Sequence, residues 1–103
     1  MENGFVSFRR AAKVDRNQPE IVKAFRDRGW YVLIISQLKN CCDIIVSRNG
    51  RTVAIEIKDG EKPPSQQKLS DGELRFKNDW LGEYKIVTCI QDVIDISDRT
   101  RLH

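Results

Sequence analysis

The chain lacks the residues on which much familiar enzyme chemistry rests. Its only histidine is the last residue, His103, so no Ser-His or Cys-His pair and no histidine-rich metal centre can be assembled. No run of glycines has the spacing of a P-loop or a dinucleotide fingerprint. Cysteine is scarce and oddly placed. Cys41, Cys42 and Cys89 are an odd set without CxxC spacing, and the adjacent pair cannot readily bridge each other. That pattern excludes a disulfide framework and structural zinc, and it predicts reduced thiols in the cytoplasm. No apolar run is long enough for a membrane helix, and the N-terminus MENGFVSFRR has no signal-peptide core, so a soluble protein without membrane contact is expected.

What remains is a chain of 103 residues, 40% hydrophobic and 32% charged, which suits one domain with a core and a salt-rich surface. The net charge is +3, a weak pointer to polyanions in itself. Its distribution says more. Arg9, Arg10, Lys13 and Arg16 cluster in one stretch, and Lys58, Lys62 and Lys68 in another. Either group could track a phosphate backbone, although isolated charge runs are more often solvated surface.

Residues 1–16 read as a basic, irregular arm. Asn17 or Gln18 then offers an N-cap, with Pro19 and Glu20 suited to a first helical turn. Ile21, Ala24, Phe25 and Arg28 follow at helical spacing until Gly29 supplies a stop. Trp30 to Ile35 reads as a buried strand. After a hairpin, residues 59–69 read as an exposed loop. Ser70 and Glu73 stand in capping-box register before a helix holding Leu74, Phe76, Trp80 and Leu81, ended by Gly82. Tyr84 to Ile90 is a further strand, Asp92 to Ile96 a short terminal helix, and residues 98–103 a frayed end. The two cysteines at 41 and 42 read as small structural residues, and Trp30 and Trp80 as core.

The hairpin carries the functional argument. Asp43–Arg48 and Arg51–Lys58 flank Asn49-Gly50, the preferred pair for a two-residue type I′ turn. With Arg48 opposite Arg51, stepping back along both strands brings Asp43 opposite Glu56. Opposed side chains in such a pair have Cβ atoms roughly 4.5–5.5 Å apart, where like charges destabilise the sheet unless something compensates. Period-two alternation adds Lys58 to the same face, with Thr52 and Ala54, and turns Val53, Ile55 and Ile57 to the core beside Ile44 and Val46. Two carboxylates and an ammonium beside a loop suit Mg²⁺ or Mn²⁺ and phosphodiester hydrolysis: the ion would orient and deprotonate water, and Lys58 would hold that water or a phosphate oxygen. A bare Glu-x-Lys would otherwise read as an ordinary half-exposed strand. That reading gives no reason for Asp43 to stand opposite Glu56.

The order helix, strand, hairpin bearing Asp-x12-Glu-Ile-Lys, helix, strand resembles the PD-(D/E)XK nuclease superfamily over Arg9 to about Val93. The closest resemblance is to small phage and prophage nuclease-like proteins and to the VRR-NUC and Holliday-junction-resolvase-type branches. It implies an α/β (α+β) fold, a single restriction-endonuclease-like domain over residues 17–97 with a central mixed four-stranded sheet flanked by helices in the order αβββαβ. It also implies that Asp43, Glu56 and the Ile57 carbonyl are metal ligands, that Lys58 is the catalytic lysine and that Glu20 is an accessory acid. Without the resemblance, Glu20 is equally well explained by the helix dipole. Gln66, Gln67 and Glu73 lie where some branches place a polar residue that positions water or DNA. The family's proline before the aspartate is Cys42 here, and its turn glycine corresponds to Asn40.

The resulting expectation is a Mg²⁺-dependent endonuclease acting on DNA, branched or structured DNA in particular, with RNA fitting the same chemistry. A two-fold homodimer would add paired cuts and a longer basic surface. The competing readings are a non-catalytic nucleic-acid-binding module on the same fold, and an interaction protein that touches no nucleic acid.

Overall fold

The computed structural model describes residues 14–99. Pro19 and Glu20 open α1 (Gln18–Asp27), and Gly29, at φ +85°, ends it. The Gly29 N–H reaches the Arg26 carbonyl at 3.0 Å and the Trp30 N–H reaches that of Phe25 at 3.1 Å, the paired bonds of a Schellman stop. The chain continues through β1 (Tyr31–Ile34), β2 (Ile44–Arg48), β3 (Arg51–Ile57), a 3-10 turn (Pro64–Gln66), α2 (Asp71–Asp79), β4 (Glu83–Val87) and α3 (Ile90–Arg99). The four strands form a mixed sheet in the order β1-β2-β3-β4, antiparallel except for the parallel β3–β4 pair.

Asn49 and Gly50 both have positive φ, as a type I′ turn requires, and Arg48 opposes Arg51 in the predicted register, which holds to Ile44 opposite Ile55. One face of the sheet, with Val32, Ile44, Val46, Val53, Ile55, Ile57 and Val87, closes on Ile21 and Phe25 of α1 and Val93 and Ile96 of α3. The turn arginines reach into this layer. Arg48 donates to the carbonyls of Arg28 and Ser97 at 2.7 Å each, so one guanidinium satisfies backbone at the ends of α1 and α3, and it lies 4.7 Å from the Trp30 ring. Trp30 is core, with its indole N–H on Ser97 at 2.9 Å.

Several boundaries differ from the sequence reading. The strand read as buried is an edge strand: Val32 is covered, while Tyr31 is 69% and Leu33 49% exposed, because α2 makes its contacts over β3 and β4 instead. α2 ends at Asp79, short of Gly82, where the Trp80 indole N–H donates to the Glu83 carbonyl and draws the chain into β4. Leu74 and Leu81 are exposed, and Trp80 is half-buried. β4 stops at Val87 because the Asp92 carboxylate accepts from the Thr88 N–H at 2.8 Å, which starts a final helix longer than expected. In the loop after β3, Asp59 is buried rather than exposed, held by Arg16 and by the Glu61 N–H.

Candidate active site

Period two places Glu56 on the sheet face away from the core, yet β3 is central and Glu56 is only 2% exposed. Asp43, just before β2, is also buried. The ladder bends there: the Asp43 N–H donates to the Ile55 carbonyl at 3.0 Å, and the Asp43 carboxylate accepts from the Ile57 N–H at 2.7 Å. Asn40 supplies the turn into this position with φ +56°, a conformation asparagine tolerates better than most residues. It lies tight against Gly72 at the start of α2, where even a Cβ would collide with its amide oxygen.

The three residues singled out by the hairpin argument come together. Asp43, Glu56, Ile57 and Lys58 line one cavity of about 430 Å³ with Asp15, Lys62, Gln66 and Glu73. The Lys58 ammonium stands 3.6 Å from Glu56 and 2.9 Å from Glu73. Glu73 also closes the capping box of α2, its Oε1 accepting from the Ser70 N–H at 2.8 Å, so one oxygen links the helix start to the lysine. Lys62 stands 3.7 Å from Asp15.

Burial, then the neighbouring Asp43 charge and that of Glu73, push the Glu56 carboxyl up to about 9, against the smaller opposing pull of Lys58. Burial works to lower the Lys58 ammonium, but Glu73 and Glu56 together raise it. For Glu73 burial acts upward, and the Ser70 N–H and Lys58 outweigh it, leaving its carboxyl below the ordinary value. The cavity therefore holds a lysine kept charged and a carboxyl kept protonated near neutrality.

Other expected residues lie elsewhere. Glu20 lines a separate cavity with Arg16, Asp59, Glu61 and Cys89, so it does not join the Asp43 cavity as expected. The end of α1 carrying it is directed to the loop after β3 and to Thr88. Gln67 turns away, donating to the Lys62 carbonyl at 2.6 Å. Arg16 is ion-paired with Asp59 and Glu61 at 3.0 Å each. Lys68 is exposed and does not line the cavity. Arg9, Arg10 and Lys13 lie outside the described residues. Sequence reasoning missed Asp15, which sat inside a stretch read only as basic, and Tyr84, whose hydroxyl is buried close to the same carboxylates.

Among the described residues no three His, Cys, Asp or Glu side chains converge as a ready metal cage. The donor set that fits a hard divalent cation is Asp43, Glu56 and the Ile57 carbonyl, all oxygen, with water completing the shell. The upward push on Glu56 supports that fit, since a cation would add positive charge to two adjacent buried carboxyls beyond that of Lys58, 3.6 Å from Glu56.

Compared with known proteins, the chain matches no family model, no curated protein and no solved structure at a significant level. Among the described residues, fold and geometry define the class: a small α+β domain with a mixed four-stranded sheet, three helices and a carboxylate–lysine cavity at the C-terminal end of the inner strand β3. No helix among the described residues is long and apolar enough to cross a membrane.

Proposed function

We propose that the chain is a divalent-metal-dependent DNA endonuclease with a restriction-endonuclease-like fold, a member of the PD-(D/E)XK superfamily acting in the cytoplasm on structured or branched DNA. The observation that carries this reading is the single cavity holding Asp43, Glu56, Ile57 and Lys58, with two carboxyls crowded together and an ammonium 3.6 Å from one of them. An ordinary polar strand face gives no reason to bury that pair.

Asp43, Glu56 and the Ile57 carbonyl would hold Mg²⁺ or Mn²⁺. When bound, the ion supplies Lewis-acid activation of water and offsets charge on the phosphodiester. Lys58 donates from its ammonium to the attacking water or to a non-bridging phosphate oxygen, stabilising charge that builds as the P–O bond breaks. The Glu73 carboxylate accepts from that ammonium at 2.9 Å. Lys62 and Gln66, at the same cavity, offer a cation and an amide to the backbone.

One observation favours a second reading, a nucleic-acid-binding module without cleavage. Lys58 is closer to Glu73 than to Glu56, so its ammonium is already engaged. Incubation with linear, flapped and four-way-junction DNA in Mg²⁺, Mn²⁺ or chelator separates the two. Metal-dependent cleavage that drops by about 10²-fold or more in Asp43→Ala and Lys58→Ala is the expected result. Cleavage surviving either substitution would sink the site, and shape-selective binding without cleavage by the wild type would establish the second reading.

A further inference from the structure

We infer that Asp15 stands in for a substrate phosphate on Lys62, engaging that ammonium at the cavity of the free protein and giving it up when a nucleic-acid backbone enters; the inference rests on the nucleic-acid reading above. Asp15 and Lys62 come from segments far apart in the chain, yet both line the Asp43 cavity, with Lys62 Nζ 3.7 Å from Asp15 Oδ1. Neither backbone depends on this pair for its place. The Asp15 carbonyl accepts from the Gln18 N–H at 2.9 Å as the chain turns into α1, and the Lys62 N–H donates to the Asp59 carbonyl at 3.1 Å. Arg16 fastens the same two segments together through Asp59 and Glu61, at 3.0 Å each, and the Gln67 amide closes the loop on the Lys62 carbonyl at 2.6 Å. The Asp15 carboxylate can therefore swing away without releasing the loop.

The pair is built to yield. Its side chains are 41% and 22% exposed, whereas Lys58, which two carboxylates share, is 12% exposed. A long, half-solvated ion pair contributes little, and a phosphate oxygen offers the same ammonium a short charge-assisted hydrogen bond. Of the four acidic side chains at the cavity, three have a task in the proposed site: Asp43 and Glu56 face the cation, and Glu73 accepts from Lys58. Asp15 has none toward metal or water. Its charge instead competes with phosphate for Lys62, which lowers affinity for any backbone regardless of sequence. A substrate that gains contacts elsewhere on the protein overcomes this loss, and a plain duplex does so less well. Asp15 is in this sense a specificity-determining residue, acting against indiscriminate backbone binding.

The test is fluorescence anisotropy of labelled linear and four-way-junction DNA titrated with the full chain in Ca²⁺ at several salt concentrations, with cleavage in Mg²⁺ measured alongside. Asp15→Asn keeps the shape of the side chain and deletes its charge. It is compared with wild type, Lys62→Ala, the double variant, and Asp27→Asn, which removes the same charge from an exposed pair with Lys23 at the far end of α1. The expected result is binding about 2–5-fold tighter in Asp15→Asn, with a steeper loss of affinity as salt rises, a larger gain for linear DNA than for the junction, and no change in Asp27→Asn. The double variant should bind as weakly as Lys62→Ala alone. An equal gain from Asp15→Asn in the Lys62→Ala background would show simple repulsion of the backbone and overturn the stand-in role. Wild-type binding and cleavage beside an unchanged Asp15→Asn would overturn it too, and leave the proposed function standing. A wild type that neither binds nor cleaves any of these DNAs would remove the proposed function and this inference together.

Discussion

Asn17 donates its side-chain amide to the carbonyls of Lys58 at 3.1 Å and Thr88 at 3.2 Å, tying the start of α1 to the chain just beyond β3 and β4. It occupies the N-cap position but makes no side-chain cap bond. The distinction is testable, because aspartate caps a helix as well as asparagine does but cannot donate. Asn17→Ala should cost about 1–3 kcal/mol by leaving two partly buried carbonyls short of a donor. Asn17→Asp should be no better than alanine, since a carboxylate would face two carbonyl oxygens. Rescue by Asp in chemical denaturation would return Asn17 to a simple capping role. Residue by residue, what sequence could reveal was local. Asp43, Glu56 and Lys58 were legible because Asn49-Gly50 sets a register that alternation then extends. Asp15, Tyr84 and the real partners of Asn17 were not, because they depend on the parallel β3–β4 pairing and on where the chain enters α1, neither of which leaves a local pattern.

Among the elements, α2 is the one whose stability and role are least coupled to the core. None of its residues is buried, and its ties to the sheet are the Lys58–Glu73 pair, the Phe76–Tyr84 contact and the close fit of Gly72 to Asn40. Its capping box was readable from Ser70 and Glu73, whereas its orientation over the site was not, since an exposed helix has no strong apolar stripe to aim it. The same reasoning explains β1: a dense apolar run reads as buried, yet it lies at the sheet edge and no helix among the described residues covers Tyr31 and Leu33, which stay exposed. Ser70→Ala removes the hydroxyl that accepts from the Glu73 N–H at 3.2 Å, worth about 1 kcal/mol. Because no residue of α2 is buried, that loss should appear as faster amide hydrogen exchange across Asp71–Asp79 with little change in global midpoint. Equal acceleration in β3 would show that α2 and the sheet unfold as one unit.

For the whole molecule, the buried carboxyl pair sets how stability depends on pH. Glu56 keeps its proton in the folded chain up to about 9, whereas the unfolded chain releases it near the ordinary value of 4.5. Between those limits the native state binds the extra proton, so this group's contribution is fully present below about 4.5 and is lost as pH rises toward 9. The slope cannot exceed about 1.4 kcal/mol per pH unit for one proton. Four of the groups acting on or beside Glu56 hold one protonation state through this window. Lys58 is raised above its ordinary 10.5 and Glu73 lowered below 4.5, so both keep their charge through the window; Tyr84 stays neutral, as does the Cys42 thiol, raised by burial first. In chelator, the denaturation midpoint of the wild type should therefore fall between pH 5.5 and 8.5. Glu56→Gln, neutral throughout, should flatten that slope and exceed the wild type at pH 8. Saturating Mn²⁺ should reverse the trend, because binding displaces the same proton and gains affinity as pH rises. A wild-type midpoint that climbs across this range in chelator would mean that Glu56 is already ionised in the folded protein, and the cavity would then have to hold its carboxylates by some countercharge other than a bound cation.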